Sequence, residues 1–112
     1  AVVGGPETEG FVSAEVLAAL GPDGVIVNIS RGSVIDEEAL IGALQSGAIR
    51  AAALDVFRNE PQIDPRLLAL SNILPLPHIG SATVETRAAM GALQRANLRA
   101  ILAGQDPETP VN

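Results

Sequence analysis

The sequence contains no cysteine, tryptophan, tyrosine or lysine and only one histidine, and each shortage excludes something. Without cysteine there is neither a disulfide framework nor a thiolate metal site, and nothing indicates an oxidising compartment. With two phenylalanines as the only aromatics, the chain has no platform on which nucleic acid bases could stack. Its 7 basic residues, all arginine, are outnumbered by 13 acidic ones, and a net charge of −6 argues against a phosphate-backbone partner. No apolar run approaches the ~20 residues of a membrane span, and no charged start followed by an apolar core marks a signal peptide. The expectation is a cytoplasmic protein with no metal, nucleic-acid or membrane partner.

What is present is enough for one domain. The 112 residues are 47% hydrophobic, and the core must be built from Ala, Leu, Val and Ile. Such small branched residues suit parallel strands covered on both faces by helices. The periodicity alternates accordingly. After the apolar stub "AVVGG" and the turn residues Pro6 and Glu7, "SAEVLAAL" predicts a helix with Ser13 as N-cap and Gly21 just past its end. "GVIVNIS" predicts a buried strand ending near Ile29. "DEEALIGALQSG" predicts a second helix, capped by Asp36, favoured at its start by Glu37 and Glu38, and closed by Gly47. "AAALDVF" reads as the next strand, "DPRLLAL" as a short helical turn and "NILPL" as a third full strand. From Thr83 to about Ala103 one extended helix follows, closed by Gly104 and a polar tail. The arrangement is α/β, a βαβαβ unit with a parallel sheet and right-handed crossovers.

Topology then places the polar residues. In a parallel sheet, whatever follows each strand lies along one edge, where ligands bind in open α/β sheets. Ser30 and Arg31 follow one strand, Asp55 and Glu60 the next, and His78 the third. A cation, two carboxylates and the only imidazole thus converge on one rim. Each also has an ordinary reading. A histidine beside proline is commonly a loop residue, Arg31 before Gly32 could tie down a turn through carbonyl contacts, and Glu60 before Pro61 could be a solvated carboxylate. Asp55 is harder to set aside, because a carboxylate at the end of a buried strand needs a partner or a ligand. "GGPETEG" is not a G-x-G-x-x-G phosphate turn.

The run "NISRGSVIDEEALIGALQSGAIRAAALDVFRNEP", followed by "NILPLPHIGSAT", resembles the D-isomer-specific 2-hydroxyacid dehydrogenases. "LPHIGSATVETRAAM" looks most like their glyoxylate/hydroxypyruvate reductase branch. Arg31 matches the active-site arginine of the N-x-x-R-G stretch, Glu60 the glutamate of D-V-F-x-x-E-P, and His78 the histidine of the P-H pair. The separations are 29 residues from Arg31 to Glu60 and 18 from Glu60 to His78. The resemblance implies a Rossmann-like NAD(P)-binding domain, with NAD or NADP as cofactor and a small 2-keto or 2-hydroxy acid as substrate. It assigns Ile29, Ser30, Arg31, Asp55, His78, Gly80 and Ser81 to the nicotinamide side, and Pro6 and Thr8 to the adjacent ribose. It also implies a homodimer.

The chemistry accounts for these residue types. Reduction of a 2-keto acid needs a hydride on the carbonyl carbon and a proton on the resulting alkoxide. An imidazole, with an ordinary pKa of about 6.5, can carry that proton at cellular pH, and a nearby carboxylate favours the imidazolium. Arginine's rigid fork suits the substrate carboxylate.

Two departures go with the resemblance. Many relatives have Thr where Leu76 precedes the Pro-His pair, so the substrate side follows the reductase branch. The Gly-rich fingerprint and the preceding substrate-binding segment are not in this sequence. Residues 1–82 are therefore expected to be the C-terminal part of the dinucleotide-binding domain, opening inside one of its strands, and residues 83–112 a long helix and tail returning towards the substrate domain. Alone, this portion is expected to be inactive. Three alternatives stand beside the reductase: another dehydrogenase of this family such as phosphoglycerate dehydrogenase, the formate-oxidising branch, which usually has Gln in place of Glu60, and a non-enzymatic dinucleotide-sensing, corepressor-like protein.

Overall fold

A computed structural model describes residues 1–111. Helix α1 spans Ala14–Leu20, strand β1 Val25–Asn28, helix α2 Glu37–Ser46, strand β2 Ala51–Leu54, the single turn α3 Pro65–Leu68, strand β3 Ile73–Pro75 and helix α4 Val84–Leu102. The three strands form a parallel sheet in the order β1-β2-β3, with Ile26 beside Ala52 and Ala52 beside Ile73. Local chemistry sets most boundaries. The Asp36 carboxylate accepts the Ala39 N–H at the start of α2, and Gly47 ends that helix in the left-handed conformation at φ 71°.

Contacts divide the chain into two units, Ala1–Gly80 and the residues from Ser81 onward. The first has one core, in which Leu17 of α1, Leu40 and Leu44 of α2, Ile49, Leu54 and Leu67 are almost fully buried. Burying a side chain of this size contributes about 1.5–3 kcal/mol. Coverage of the sheet differs from the expectation. Ile26, Ala52, Leu54 and Ile73 face the core, whereas Val25, Val27 and Leu74 on alternate positions are 44%, 64% and 57% exposed. Within this unit the helices cover one face only. Crossovers of one hand along a sheet whose order never reverses put α2 and α3 on the same side.

Three further expectations change. The opening stub is not a strand; the chain from Ala1 to Gly5 is irregular and leads into a 3-10 turn at Pro6–Thr8. The third strand is only three residues long, ending on Pro75 with Pro77 two residues beyond. Ser13 sits at the N-cap of α1, but its hydroxyl donates to the Glu15 carboxylate at 2.5 Å and caps no backbone N–H.

The second unit is α4 and the tail. The Thr83 hydroxyl caps the helix by accepting the Thr86 N–H at 3.1 Å. No residue of α4 is buried, and Leu98, Ile101 and Leu102 are more than half exposed. Asn97 ties the tail to the helix, accepting the Glu108 N–H at 2.8 Å and donating to the Thr109 hydroxyl at 2.7 Å.

Candidate active site

The carboxyl ends of the strands carry the polar residues of interest. At the end of β1, Asn28 is buried and folds the next three residues around its side-chain amide. Its oxygen accepts the Ser30 N–H at 3.0 Å and the Ser30 hydroxyl at 2.8 Å, while its Nδ2 donates to the Arg31 carbonyl at 2.9 Å. This is the turn that asparagine favours locally, with its side chain standing in for backbone. Arg31 leaves the turn exposed, and its Nη1 donates to the Ser30 carbonyl at 2.7 Å. The carbonyl contact that could tie down a loop is therefore present, and it occupies one of the guanidinium's five donors.

The chain after Arg31 meets the chain after β2. A Cβ on Gly32 would stand 2.0 Å from the Phe57 carbonyl carbon and 2.3 Å from the Arg58 nitrogen, so only glycine lets the two backbones approach this closely. Three residues beyond Phe57, Glu60 turns back: its Oε1 accepts the Phe57 N–H at 2.7 Å and its Oε2 lies 2.7 Å from His78 Nδ1. The hydrogen bond with His78, then that from Phe57, holds the Glu60 carboxyl below the usual range, and the charges of His78 and Arg31 act in the same direction. Arg31 thus lies within electrostatic reach of Glu60.

His78 is the only non-glycine residue described with a positive φ, at 54°. That conformation costs a residue with a Cβ about 1–3 kcal/mol and persists where its surroundings impose it. The two amides that follow His78 both end on Asp55. This carboxylate, 4% exposed just beyond β2, accepts the Ile79 N–H on Oδ1 and the Gly80 N–H on Oδ2, both at 2.7 Å. Asp55 therefore has partners, and they are protein amides. Pairing with Glu60 places a proton on Nδ1, because a carboxylate only accepts. Among the described residues Nε2 takes part in no hydrogen bond.

Two clefts lie near the Arg31 turn. One, of about 440 Å³, is lined by residues 1–4 together with Ile29, Ser30 and Arg31. The other, of about 420 Å³, runs along Val3–Thr8 and so includes Pro6 and Thr8, whose hydroxyl donates to the Val3 carbonyl at 2.7 Å. A third, of about 200 Å³, is walled by Phe57, Ile63, Leu76 and Pro77 beside Glu60 and His78. The first cleft pairs the exposed apolar side chain of Ile29 with the Arg31 guanidinium, a set that fits the flat, partly apolar nicotinamide end of a dinucleotide. Gly80 sits in the Asp55 loop and Ser81 opens the second unit.

Sequence reasoning singled out Arg31, Glu60 and His78 but passed over Asn28 and Gly32. Asn28 carried a local signal, an asparagine at a strand end two residues before the turn. Gly32 was marked only as the glycine of the N-x-x-R-G stretch, and the reason for it lies 25 and 26 positions away, in the backbone of Phe57 and Arg58.

A parallel sheet bearing its polar groups on the loops after successive strands has the architecture of a Rossmann-like dinucleotide-binding domain. Residues 1–80 match the family described as D-isomer specific 2-hydroxyacid dehydrogenase, NAD binding domain, and this chain belongs to that family. Hydroxyphenylpyruvate reductase of Plectranthus scutellarioides is 47% identical over 106 residues, covering 95% of this chain and 34% of that protein. The 2-ketogluconate reductase of Gluconobacter oxydans (strain 621H) is 49% identical over 99% of this chain and 36% of its own length. Among solved structures, the NADPH-dependent glyoxylate/hydroxypyruvate reductase of Sinorhizobium meliloti, in complex with NADP and malonate, superposes with a TM-score of 0.93 at 49% identity, covering 98% of this chain and 34% of that one. The chain spans about a third of the length of the relatives it matches.

Proposed function

We propose that this chain forms the proton-transfer and substrate-carboxylate side of a reductase that converts a small 2-keto acid, glyoxylate or hydroxypyruvate, to its D-2-hydroxy acid with NADH or NADPH. The observation that carries the reading is the His78 Nδ1–Glu60 Oε2 pair at 2.7 Å, beside an arginine turn packed against the same loop. The bound dinucleotide supplies the hydride. Its nicotinamide end would rest on Ile29 and Ser30, with Pro6 and Thr8 along the ribose. Arg31 grips the substrate carboxylate through the donors that Ser30 leaves free, which orients the keto carbon.

His78 donates its Nε2 proton to the alkoxide oxygen as the carbonyl is reduced, and takes it back in the reverse direction. Glu60 holds Nδ1 and fixes the ring. The His78 side chain is 49% exposed, so solvent can restore the proton. In this reading residues 1–82 complete a dinucleotide-binding domain, residues 83–112 lead back towards a substrate domain, and the whole enzyme is a cytoplasmic homodimer.

The test is the reductase rate of the full reading frame encoding this segment, with glyoxylate and hydroxypyruvate and each dinucleotide. His78→Gln is expected to lower kcat by about 10²–10⁴, the span of general acid catalysis. Near-normal turnover by that variant refutes the assignment.

A further inference from the structure

His78 carries the proton in the reading above, yet the sheet does little to hold it. The last ladder hydrogen bond on this side is from the Leu76 N–H to the Leu54 carbonyl at 2.8 Å, and Pro77 has no N–H to give. His78, Ile79 and Gly80 are all exposed. Beyond Leu76, the backbone amides of this loop reach the rest of the unit only at Ile79 and Gly80, and both bonds end on the one buried carboxylate of Asp55. Of the two residues between Leu76 and Ile79, the second, His78, is the one in the left-handed conformation, and its ring meets Glu60.

We propose that Asp55 is a positioning residue for His78: its carboxylate clamps the two amides that follow the imidazole and so sets where the ring stands. The role is separate from the dinucleotide contact that family resemblance implies for this residue, and it deepens the reductase reading, on which its kinetic consequence rests.

Two features argue that the clamp is specific. Each carboxylate oxygen takes one amide at the short distance expected of a charge-assisted bond, 2.7 Å. Space beside it is also restricted, since a Cβ at Gly80 would stand 3.0 Å from Asp55 Oδ2. An asparagine has the same shape but can accept only one of the amides; its NH2 would face the other N–H, donor against donor.

The first measurement is amide hydrogen exchange of the complete wild-type polypeptide. Slow exchange at Ile79 and Gly80 is expected despite their exposure, and exchange at the rate of an open loop shows that no clamp exists. It needs neither a variant nor an activity, so it decides the point even if the wild type reduces no 2-keto acid and the functional reading fails. The second is Asp55→Asn. The expected result is a loss of about 10–100-fold in kcat from a misplaced acid, whatever change the implied dinucleotide contact adds to the Kd for NADH and NADPH. A raised Kd with unchanged kcat makes Asp55 a cofactor ligand and overturns the proposal. A lowered Tm with both constants unchanged overturns it too, because that is what a purely structural carboxylate would give.

Discussion

The Arg31 turn and the His78 loop each hang from a buried polar side chain at the end of neighbouring strands, yet the two anchors work differently. Asn28 is neutral, both gives and accepts, and satisfies groups two and three residues from itself. Asp55 is charged, only accepts, and reaches amides 24 and 25 residues away. The anchors touch through the backbone, where the Asp55 N–H donates to the Asn28 carbonyl at 2.9 Å. The hydrogen bonds that shape the Arg31 turn therefore come from within its own few residues, whereas those that hold the His78 loop come from a carboxylate just beyond β2. The cation that would meet the substrate carboxylate is set locally, and the acid that would deliver the proton is set by tertiary structure.

The sharpest way to break this contrast is at the point where the two regions meet. Gly32→Ala places a methyl group 2.0 Å from the Phe57 carbonyl carbon, and the obstacle is backbone, which cannot rotate away. We expect a loss at the upper end of the roughly 1–3 kcal/mol that overpacking costs. Urea unfolding would measure it, and reductase activity should fall with it because the Arg31 turn and the Glu60 loop are pushed apart. A smaller effect is expected from Asn28→Ala. It leaves the Ser30 N–H without its partner and removes one of two donors from the Arg31 carbonyl, which keeps the Val34 N–H at 3.2 Å; Ser30 is only half-buried and Arg31 is exposed, so water can replace part of the loss. About 1–2 kcal/mol is expected, with the KM for the keto acid raised more than kcat is lowered. An unchanged KM would show that Arg31 keeps its place without the Asn28 turn.

What could be read from the sequence divides along the same line. The cap at Asp36, the glycine ends at Gly21 and Gly47, and the parallel α/β order all follow from neighbours within a few residues, and the structure has them. The convergence of Arg31, Glu60 and His78 was legible because topology alone sends the ends of parallel strands to one rim. What was not legible depended on distant pairing. Nothing near Gly32 announces the Phe57–Arg58 backbone, nothing near Asp55 announces Ile79 and Gly80, and single-face coverage of the sheet appears only once the strand order is known. Ser13 shows that a local rule can also fail locally, because a carboxylate two residues on captures the hydroxyl that would cap the helix.

The smallest effect expected is the pH dependence that the His78–Glu60 pair gives to stability. The Glu60 carboxyl titrates lower folded than unfolded, chiefly because of its hydrogen bond with His78. Its contribution is therefore fully present above the unfolded value of about 4.3 and is lost as pH falls through the lower folded value. The Glu60 side chain is 35% exposed and the imidazole 49%, so solvent screens the pair and the contribution should stay under about 1 kcal/mol. Unfolding free energy measured from pH 6 down to about pH 3 should therefore fall slightly more steeply in the wild type than in Glu60→Gln, whose side chain does not titrate there. Equal slopes would mean that the carboxylate and the imidazole are not paired in solution, and the proton-transfer reading would lose the contact on which it rests.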